Sequence, residues 1–200
     1  MSVMERAIET SSELIVDARA LNLTDERFLE FCQDNRDLRF ELSAEGELLI
    51  MGPTSSETGR RNAKLTFRLA EWAEQDGTGV YFDSSAAFKL LNGAKRSPDA
   101  SWIRKDRYEA LTEEEREQFA PICPDFVIEL RSKTDRLARL HAKMVEYMEN
   151  GAQLGWLIDR TSRRVYVYRP GHEMETLDAP ETVAGDPVLP GFCLQLEELW

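Results

Sequence analysis

Apolar and polar positions alternate along this chain with two different periods, which predict its strands and helices. Period-two alternation over 38–42 and 47–51, with Gly46 between them, predicts a β-hairpin. Apolar residues at helical spacing after Ser55 predict a long helix that ends near Gly77. Further helices are predicted from Thr24, at 111–119 and at 135–150, and further strands at 80–82, 87–91, 97–103, 126–131, 153–159 and 164–168.

The predicted strand at 126–131 is apolar enough to be buried, yet charged residues interrupt it. Because side chains alternate faces along a strand, Asp125, Glu129 and Arg131 share one side. An unpaired carboxylate is costly to bury, and such groups are normally paired or bound to a metal. Two interpretations stay open. In the first, Glu129 and Arg131 form a surface ion pair on an edge strand. In the second, these acids belong to a metal site.

The order of these elements predicts an α/β domain with a mixed sheet. A length of 200 residues, with 42% apolar and 31% charged residues, predicts one soluble domain, preceded by a short helix or a loosely held arm over residues 1–20. No apolar run approaches the roughly 20 residues of a membrane span, and the start of the chain lacks a signal peptide's apolar core. Three scattered cysteines without a CxxC pair fit a reducing cytoplasm and argue against a zinc site.

The net charge of -12 argues against a protein that coats nucleic acid nonspecifically. Two segments, 59–68 and 131–143, are nevertheless basic. They could form one patch that faces phosphate, or they could be solvated helix faces, which is the commoner arrangement. The glycine motifs of nucleotide-triphosphate and dinucleotide sites do not occur, so no nucleotide cofactor is expected.

Pro98-Asp99 on one strand, Glu129-x-Arg131 on a later strand and Lys143 on the next helix resemble the PD-(D/E)XK nuclease superfamily. More narrowly, Pro98-Asp99, Pro124 to Glu129, and Lys143 to Asp159 resemble the Uma-two family of bacterial restriction endonucleases, formerly a domain of unknown function. The resemblance covers roughly residues 24–196. It implies a restriction-endonuclease-like fold, in which a mixed sheet holds the acids and is flanked by helices, with an N-terminal helix and hairpin extension.

The resemblance also implies a site for Mg²⁺ or Mn²⁺, with Asp99, Glu129 and the carbonyl of Leu130 as ligands. Such a cation stabilises charge and acidifies water during phosphodiester hydrolysis. The family's lysine two residues after the glutamate is Arg131 here, and an arginine is a poor base although it can stabilise phosphate. Lys143 is therefore expected to supply the catalytic ammonium. Asp125 and Glu57 are further candidate carboxylates, and Arg136 and Arg139 are candidate phosphate contacts.

The leading hypothesis is a metal-dependent endonuclease that hydrolyses DNA, with Asp99, Glu129, Lys143 and Arg131 as its catalytic residues. A homodimer is expected, because one active site attacks one strand. Two alternatives stay open. The first is a nuclease fold that has lost turnover and serves as a nucleic-acid-binding or assembly module, which Arg131 and the net charge of -12 favour. The second is a structural homo-oligomer.

Overall fold

The structure of the protein is a computed structural model that describes residues 13–200. The five α-helices of this region are α1 (Asp25–Asp34), α2 (Ser56–Asp76), α3 (Lys105–Glu109), α4 (Glu113–Arg116) and α5 (Leu137–Glu149), and a short 3₁₀ helix spans Arg19–Leu21. The strands are β1 (Glu13–Asp17), β2 (Arg39–Leu42), β3 (Glu47–Met51), β4 (Gly79–Asp83), β5 (Phe88–Lys89), β6 (Lys95–Arg96), β7 (Ala100–Arg104), β8 (Phe126–Arg131), β9 (Leu154–Asp159), β10 (Arg164–Tyr168), β11 (Glu175–Asp178), β12 (Thr182–Ala184) and β13 (Cys193–Gln195).

The larger sheet has six strands in the order β11-β10-β9-β8-β7-β4. Strands β8 and β9 are parallel and are joined through α5, whereas the other neighbouring pairs are antiparallel. Strand β8 lies inside this sheet because its side chains are apolar on both faces. Ile128 packs with Leu65 of α2 in one core cluster, and Val127 packs with Met144 of α5 in another. These two clusters fix α2 and α5 against the strand that carries Glu129.

The smaller sheet has five strands in the order β1-β3-β2-β6-β5. Phe28 of α1 packs with Phe40 and Leu42 of β2 in a cluster on one face of this sheet. Alternation along β2 therefore turns Glu41 to the opposite face. Glu41 is only 2% exposed there, so the sheet carries a buried carboxylate on the side away from α1.

Most predicted elements are confirmed, including the hairpin of β2 and β3 and the position of β8 inside the sheet. The long helix is α2, whose N-cap is Ser55 and whose C-cap is Gly77 at a φ of 70°, a conformation that glycine adopts without strain. The predicted arm is wrong for residues 13–17, because β1 pairs with β3; residues 1–12 lie outside the described part. The acidic helix is shorter than predicted, and α3 precedes it.

None of the helices in residues 13–200 is both long and apolar enough to cross a membrane. The three cysteines, Cys32, Cys123 and Cys193, are all free thiols.

Candidate active site

A cleft of about 1580 Å³ runs between the buried-acid face of the smaller sheet and the helices α2 and α5. Residues from β2, β3, β8, α2 and α5, and from the segments that precede β7 and follow β8, line this cleft. Four of the charged side chains in the lining come from four separate parts of the chain, namely Glu41, Asp99, Glu129 and Lys143. The fold thus brings together the three residues that the sequence predicted, Asp99, Glu129 and Lys143, and adds Glu41.

Lys143 joins the acids of the two sheets. Its Nζ lies 2.8 Å from Oε1 of Glu129 on β8 and 2.7 Å from Oε1 of Glu41 on β2. The side chains of Glu41 and Glu129 are 2% and 6% exposed, and that of Lys143 is 13% exposed. Because charges are poorly solvated there, buried carboxylates need cationic or hydrogen-bonding partners, and the two contacts hold Lys143 in one position.

Asp99 immediately precedes β7 and faces the same pocket. The register between β7 and β8 pairs Ala100 with Ile128, so Asp99 lies one step beyond, opposite Glu129. Its Oδ2 accepts a hydrogen bond of 2.8 Å from the backbone N–H of Leu130, and its Oδ1 accepts one of 2.9 Å from Nδ2 of Asn62 on α2. In a strand the N–H and C=O of one residue point to the same edge, so the Leu130 carbonyl lies on the edge that faces Asp99.

A second group of side chains supports Glu41 and Glu129 from behind. Arg96 lies between Glu41 and Glu146, with its Nη1 at 3.3 Å from Oε2 of Glu41 and its Nε at 2.5 Å from Oε2 of Glu146. The hydroxyl of Tyr147 donates a hydrogen bond of 3.2 Å to Oε1 of Glu129. Since Lys143, Glu146 and Tyr147 lie within two turns of α5, this helix orients both the ammonium and the carboxylates around it.

The electrostatics of the pocket show an excess of negative charge. Burial raises the pKa of Glu129 to about 8, and the nearby negative charges of Asp99 and Glu41 add to this shift, whereas Lys143 opposes it. Burial also raises the pKa of Asp99, against the opposing effect of the hydrogen bond from Leu130. Carboxyl groups with raised pKa values retain protons that an added cation would displace.

The pKa of Lys143 shifts in the direction that keeps its charge. Burial alone would lower this pKa, but the charges of Glu129 and Glu41 outweigh burial and raise it. Burial likewise acts to raise the pKa of Glu41, and the charges of Lys143 and Arg96 overcome it and lower the value. Lys143 is therefore an ammonium at neutral pH, which suits it to stabilise negative charge and not to accept a proton.

The donors at Asp99 and Glu129 fit a divalent cation. Two carboxylates and one backbone carbonyl are hard oxygen donors, and Mg²⁺ uses few protein ligands because it keeps several waters. Beside Asp99, the buried Oδ1 of Asn62 has no hydrogen-bond partner in the described region, so an oxygen acceptor is left unsatisfied in the pocket. Across residues 13–200 no group of three or more His, Cys, Asp or Glu side chains is arranged to hold a metal ion. The fit therefore depends on this pair and the Leu130 carbonyl.

The structure does not bring Arg131 or Asp125 to this pocket, contrary to the expectation that both extend the site around Glu129. Arg131 forms an ion pair of 2.8 Å with Asp159, its neighbour on the parallel strand β9. Asp125 lies at the opposite end of β8, where Oδ1 pairs with Arg107 at 2.7 Å and Oδ2 accepts the N–H of Arg104. Both charges are satisfied by partners outside the cleft, so neither is free to join Asp99.

The remaining predicted residues lie around the cleft or beyond it. Glu57 lines the cleft in the first turn of α2, but it pairs with Arg60 and Arg61 at 2.8 Å each. Arg139 also lines the cleft and lies 3.5 Å from Glu47 of β3. Arg136 is the exposed N-cap residue of α5 and is not part of the cleft lining. Among these residues, Arg139 is therefore the better placed of the two predicted phosphate contacts.

Sequence reasoning missed Glu41, Arg96 and Glu146. The alternation along β2 does place Glu41 on the face opposite Phe40 and Leu42, but it does not say which element covers that face. One clue was the pair of basic residues Lys95 and Arg96, which come shortly before Pro98-Asp99 in the sequence. Both residues are buried in the fold. Buried cations require carboxylate partners, and unassigned acids on the predicted strands were candidates for that role.

Comparisons with known proteins bear on the family and the fold of this chain. The model of the Uma2 family, described as "Putative restriction endonuclease", matches residues 25–197. A crystal structure of a "putative nuclease belonging to DUF820" from Anabaena variabilis is similar with a TM-score of 0.67 and 22% identity, over 80% of this chain and 88% of that one. No curated protein matches. The predicted α/β fold of the restriction-endonuclease-like type is confirmed.

Proposed function

This chain belongs to the Uma2 family, which is described as "Putative restriction endonuclease", and from that membership and the geometry of its cleft we propose that it is a metal-dependent endonuclease acting on DNA. One observation supports this most strongly. The fold gathers Asp99, Glu129 and Lys143 from three separate elements into one cleft, with the ammonium 2.8 Å from the Glu129 carboxylate. Asp99, Glu129 and the carbonyl of Leu130 would hold Mg²⁺ or Mn²⁺.

Each residue has a distinct role in this proposal. A bound divalent cation supplies a Lewis acid that acidifies water and offsets the charge that develops on the phosphate. Asp99 is oriented for its role by Asn62 and the N–H of Leu130, so its carboxylate needs no rearrangement. Lys143 stays protonated and donates hydrogen bonds to a phosphate oxygen, which stabilises the extra negative charge of the transition state. Glu41 positions Lys143 and does not contact substrate.

Hydrolysis of both strands of duplex DNA has a consequence for the oligomeric state of the protein. One pocket of this kind attacks one strand, and two copies related by a two-fold axis would place one pocket at each strand of a duplex. We therefore propose a homodimer as the state that cuts duplex DNA. Light scattering at the concentrations used for cleavage tests this, and a monomer that cuts both strands at one position would contradict it.

The experiment that tests the proposed function is cleavage of supercoiled and single-stranded DNA with millimolar Mg²⁺ or Mn²⁺. Wild-type protein is expected to nick plasmid, EDTA is expected to stop it, and Glu129→Ala is expected to lose it. Glu47→Ala serves as the matched control, because Glu47 is a carboxylate at the same cleft that is 54% exposed and contacts only Arg139 weakly. Equal nicking by wild type and Glu129→Ala would show a contaminant and refute the proposal.

A second candidate function is a nuclease fold without turnover that binds nucleic acid. The observation in its favour is the position of Arg131, which stands where the superfamily's lysine is expected and is held outside the cleft by Asp159. This candidate predicts DNA binding that does not change between wild type and Glu129→Ala, and no cleavage with either cation. The endonuclease proposal predicts the loss of cleavage in that variant.

A further inference from the structure

Two arginines meet at the end of the cleft where α2 begins. Arg61 lies in the second turn of α2, and Arg160 directly follows β9. Both line the cleft, together with Thr54, Ser55 and Thr58 around the helix start. They belong to different parts of the chain. Arg61 lies in the basic segment 59–68, for which a patch that faces phosphate was one of the two interpretations, whereas Arg160 lies in neither basic segment.

The arginines differ in how their charges are compensated. Arg61 is 13% exposed, pairs with Glu57 at 2.8 Å and donates from Nε to the carbonyl of Leu199. Arg160 is partly buried and donates from Nε to the carbonyl of Arg131 at 3.4 Å. Over residues 13–200, no carboxylate lies within ion-pair distance of Arg160. A partly buried guanidinium without an ionic partner is costly unless an anion completes it.

Nearby acids are already committed to other donors. Asp159 pairs with Arg131 and also accepts from the hydroxyl of Ser162. Asp135 accepts the N–H of Ser132 at 2.7 Å. Glu57 is shared between Arg60 and Arg61. Burial and next the positive charge of Arg61 lower the pKa of Arg160, and together they outweigh the opposing charges of Glu57, Asp135 and Asp159. The positive charge of Arg160 is therefore incompletely compensated at this end of the cleft, although the net charge of the chain is -12.

We propose that Arg61 and Arg160 form a phosphate-binding subsite that takes a phosphate group of the bound nucleic acid strand. The inference rests on the proposed function, since it assigns the phosphate to the substrate of the same cleft. A guanidinium offers two parallel N–H donors to two phosphate oxygens, a geometry that a lysine lacks. The start of α2 lies at this end of the cleft, where it adds backbone N–H groups and the positive end of the helix dipole.

The phosphate has two chemical sources, an internal phosphodiester or a terminal phosphomonoester. The test measures binding of short single-stranded oligodeoxynucleotides, with and without a 5′-phosphate, in EDTA so that no strand is cut. Arg160→Met is compared with wild type across a series of salt concentrations. The control is Arg164→Met, which also removes one positive charge, but from an exposed residue that pairs with Asp178 outside the cleft lining.

Arg160→Met is expected to weaken binding about tenfold, as loss of a charge-assisted contact does. The binding constant of wild-type protein should fall as the salt concentration rises. In Arg160→Met, the magnitude of the slope of log binding constant against log salt concentration should be smaller by about 0.7, the value for one phosphate contact on a single strand. Arg164→Met should change neither quantity. If the loss is the same with and without the 5′-phosphate, the ligand is a phosphodiester. If the 5′-phosphate strengthens wild-type binding but not that of the variant, it is a phosphomonoester.

Three results would overturn the subsite: binding by Arg160→Met with the wild-type affinity and slope, an equal loss in Arg164→Met, or no wild-type binding at any salt concentration. Arg160→Lys covers the case in which the methionine variant fails to fold, and it should keep the salt slope but lose affinity. Different results would refute the subsite and the nuclease proposal. Binding that depends on Arg160 without cleavage in Mg²⁺ refutes only the nuclease, and cleavage with an unchanged KM in Arg160→Met refutes only the subsite.

Discussion

The ammonium of Lys143 on α5 lies 2.7 Å from Oε1 of Glu41 on β2, and this buried ion pair joins the smaller sheet to the helix that faces the candidate metal ligands. Oε1 of Glu41 also accepts the N–H of Ser97, two residues before Asp99. Glu41 therefore holds both the ammonium and the chain segment that delivers Asp99. The hairpin extension, which precedes the acids predicted from sequence, is part of the site's construction.

The first prediction concerns this link. Glu41→Gln removes the negative charge that faces Lys143 and Arg96 but keeps the side chain's size, so we expect the free energy of unfolding to fall by about 2 kcal/mol. Cleavage should fall as well, because Lys143 loses one of the two contacts that position it. Urea denaturation and plasmid nicking measure these effects. Glu47→Gln, at an exposed position of the same hairpin, should cost less than about 1 kcal/mol, and equal losses in both variants would contradict the role of Glu41.

The second prediction concerns the protonation of Glu129. Burial raises its pKa from the ordinary 4.5 to about 8, so the folded protein without metal holds a proton that the unfolded chain releases. This contribution to the free energy of unfolding is fully present below pH 4.5 and is lost as the pH rises through about 8. NMR of the side-chain carboxyl carbon should show a titration near pH 8 that is absent in Glu129→Gln. Added Mg²⁺ should shift this titration to lower pH, and a titration near pH 4.5 would contradict the account.

The third prediction separates stability from function at Asp99. Burial raises the pKa of Asp99, which means that its negative charge is unfavourable in the folded protein without metal. Asp99→Asn should therefore leave the melting temperature in EDTA unchanged or higher, because the new amide oxygen still accepts the N–H of Leu130 and the new amide nitrogen can donate to Oδ1 of Asn62, which has no partner within residues 13–200, once that side chain turns over. It should also remove the increase in melting temperature that Mg²⁺ gives the wild type. Calorimetry in EDTA and in Mg²⁺ tests both statements, and an equal increase in wild type and variant would contradict them.

The sequence was informative where local pattern alone decides the structure. The alternation of β2 and β3, the spacing of apolar residues in α2 and the apolar run of β8 each report burial of one element, and the fold agrees with them. The set of Asp99, Glu129 and Lys143 was found because a family motif places these residues in order. Their convergence in one cleft follows from the pairing of β7 with β8 and the packing of α5 on β8.

Other features depend on contacts between distant segments, which periodicity does not report. Glu41 and Lys143 are 102 positions apart, and neither β2 nor α5 contains a sign that they meet. Arg131 was expected beside Glu129 because alternation puts both on one side of β8. Its long side chain instead reaches Asp159 on the parallel strand β9, and this pairing depends on the register between the two strands. Strand β1 was not predicted although Leu14, Ile15 and Val16 form a short apolar run; these residues lie on an edge strand and stay exposed in the fold.

The fourth prediction concerns the packing that fixes α5. Gly155 of β9 lies under this helix, and a Cβ added there would come within 2.4 Å of Cε of Met144 and 3.0 Å of Cε of Met148. Both atoms are the ends of flexible methionine side chains, so Gly155→Ala should destabilise the protein by only about 1 kcal/mol, through repacking of these buried methionines. Gly59→Ala is the matched control, because a Cβ there meets nothing within 4 Å and alanine favours the helix. A neutral Gly155→Ala would show that the methionines yield without moving α5.

The most direct test of the central claim, that Asp99 and Glu129 hold a divalent cation, is a titration of the protein with Mn²⁺ followed by electron paramagnetic resonance of the free ion. Wild-type protein should remove Mn²⁺ from solution at micromolar to millimolar concentrations, and Mg²⁺ should compete. Asp99→Ala and Glu129→Ala should each lose this binding, whereas Glu47→Ala should retain it. Binding that is equal in all four proteins, or that is absent from the wild type, would contradict the account.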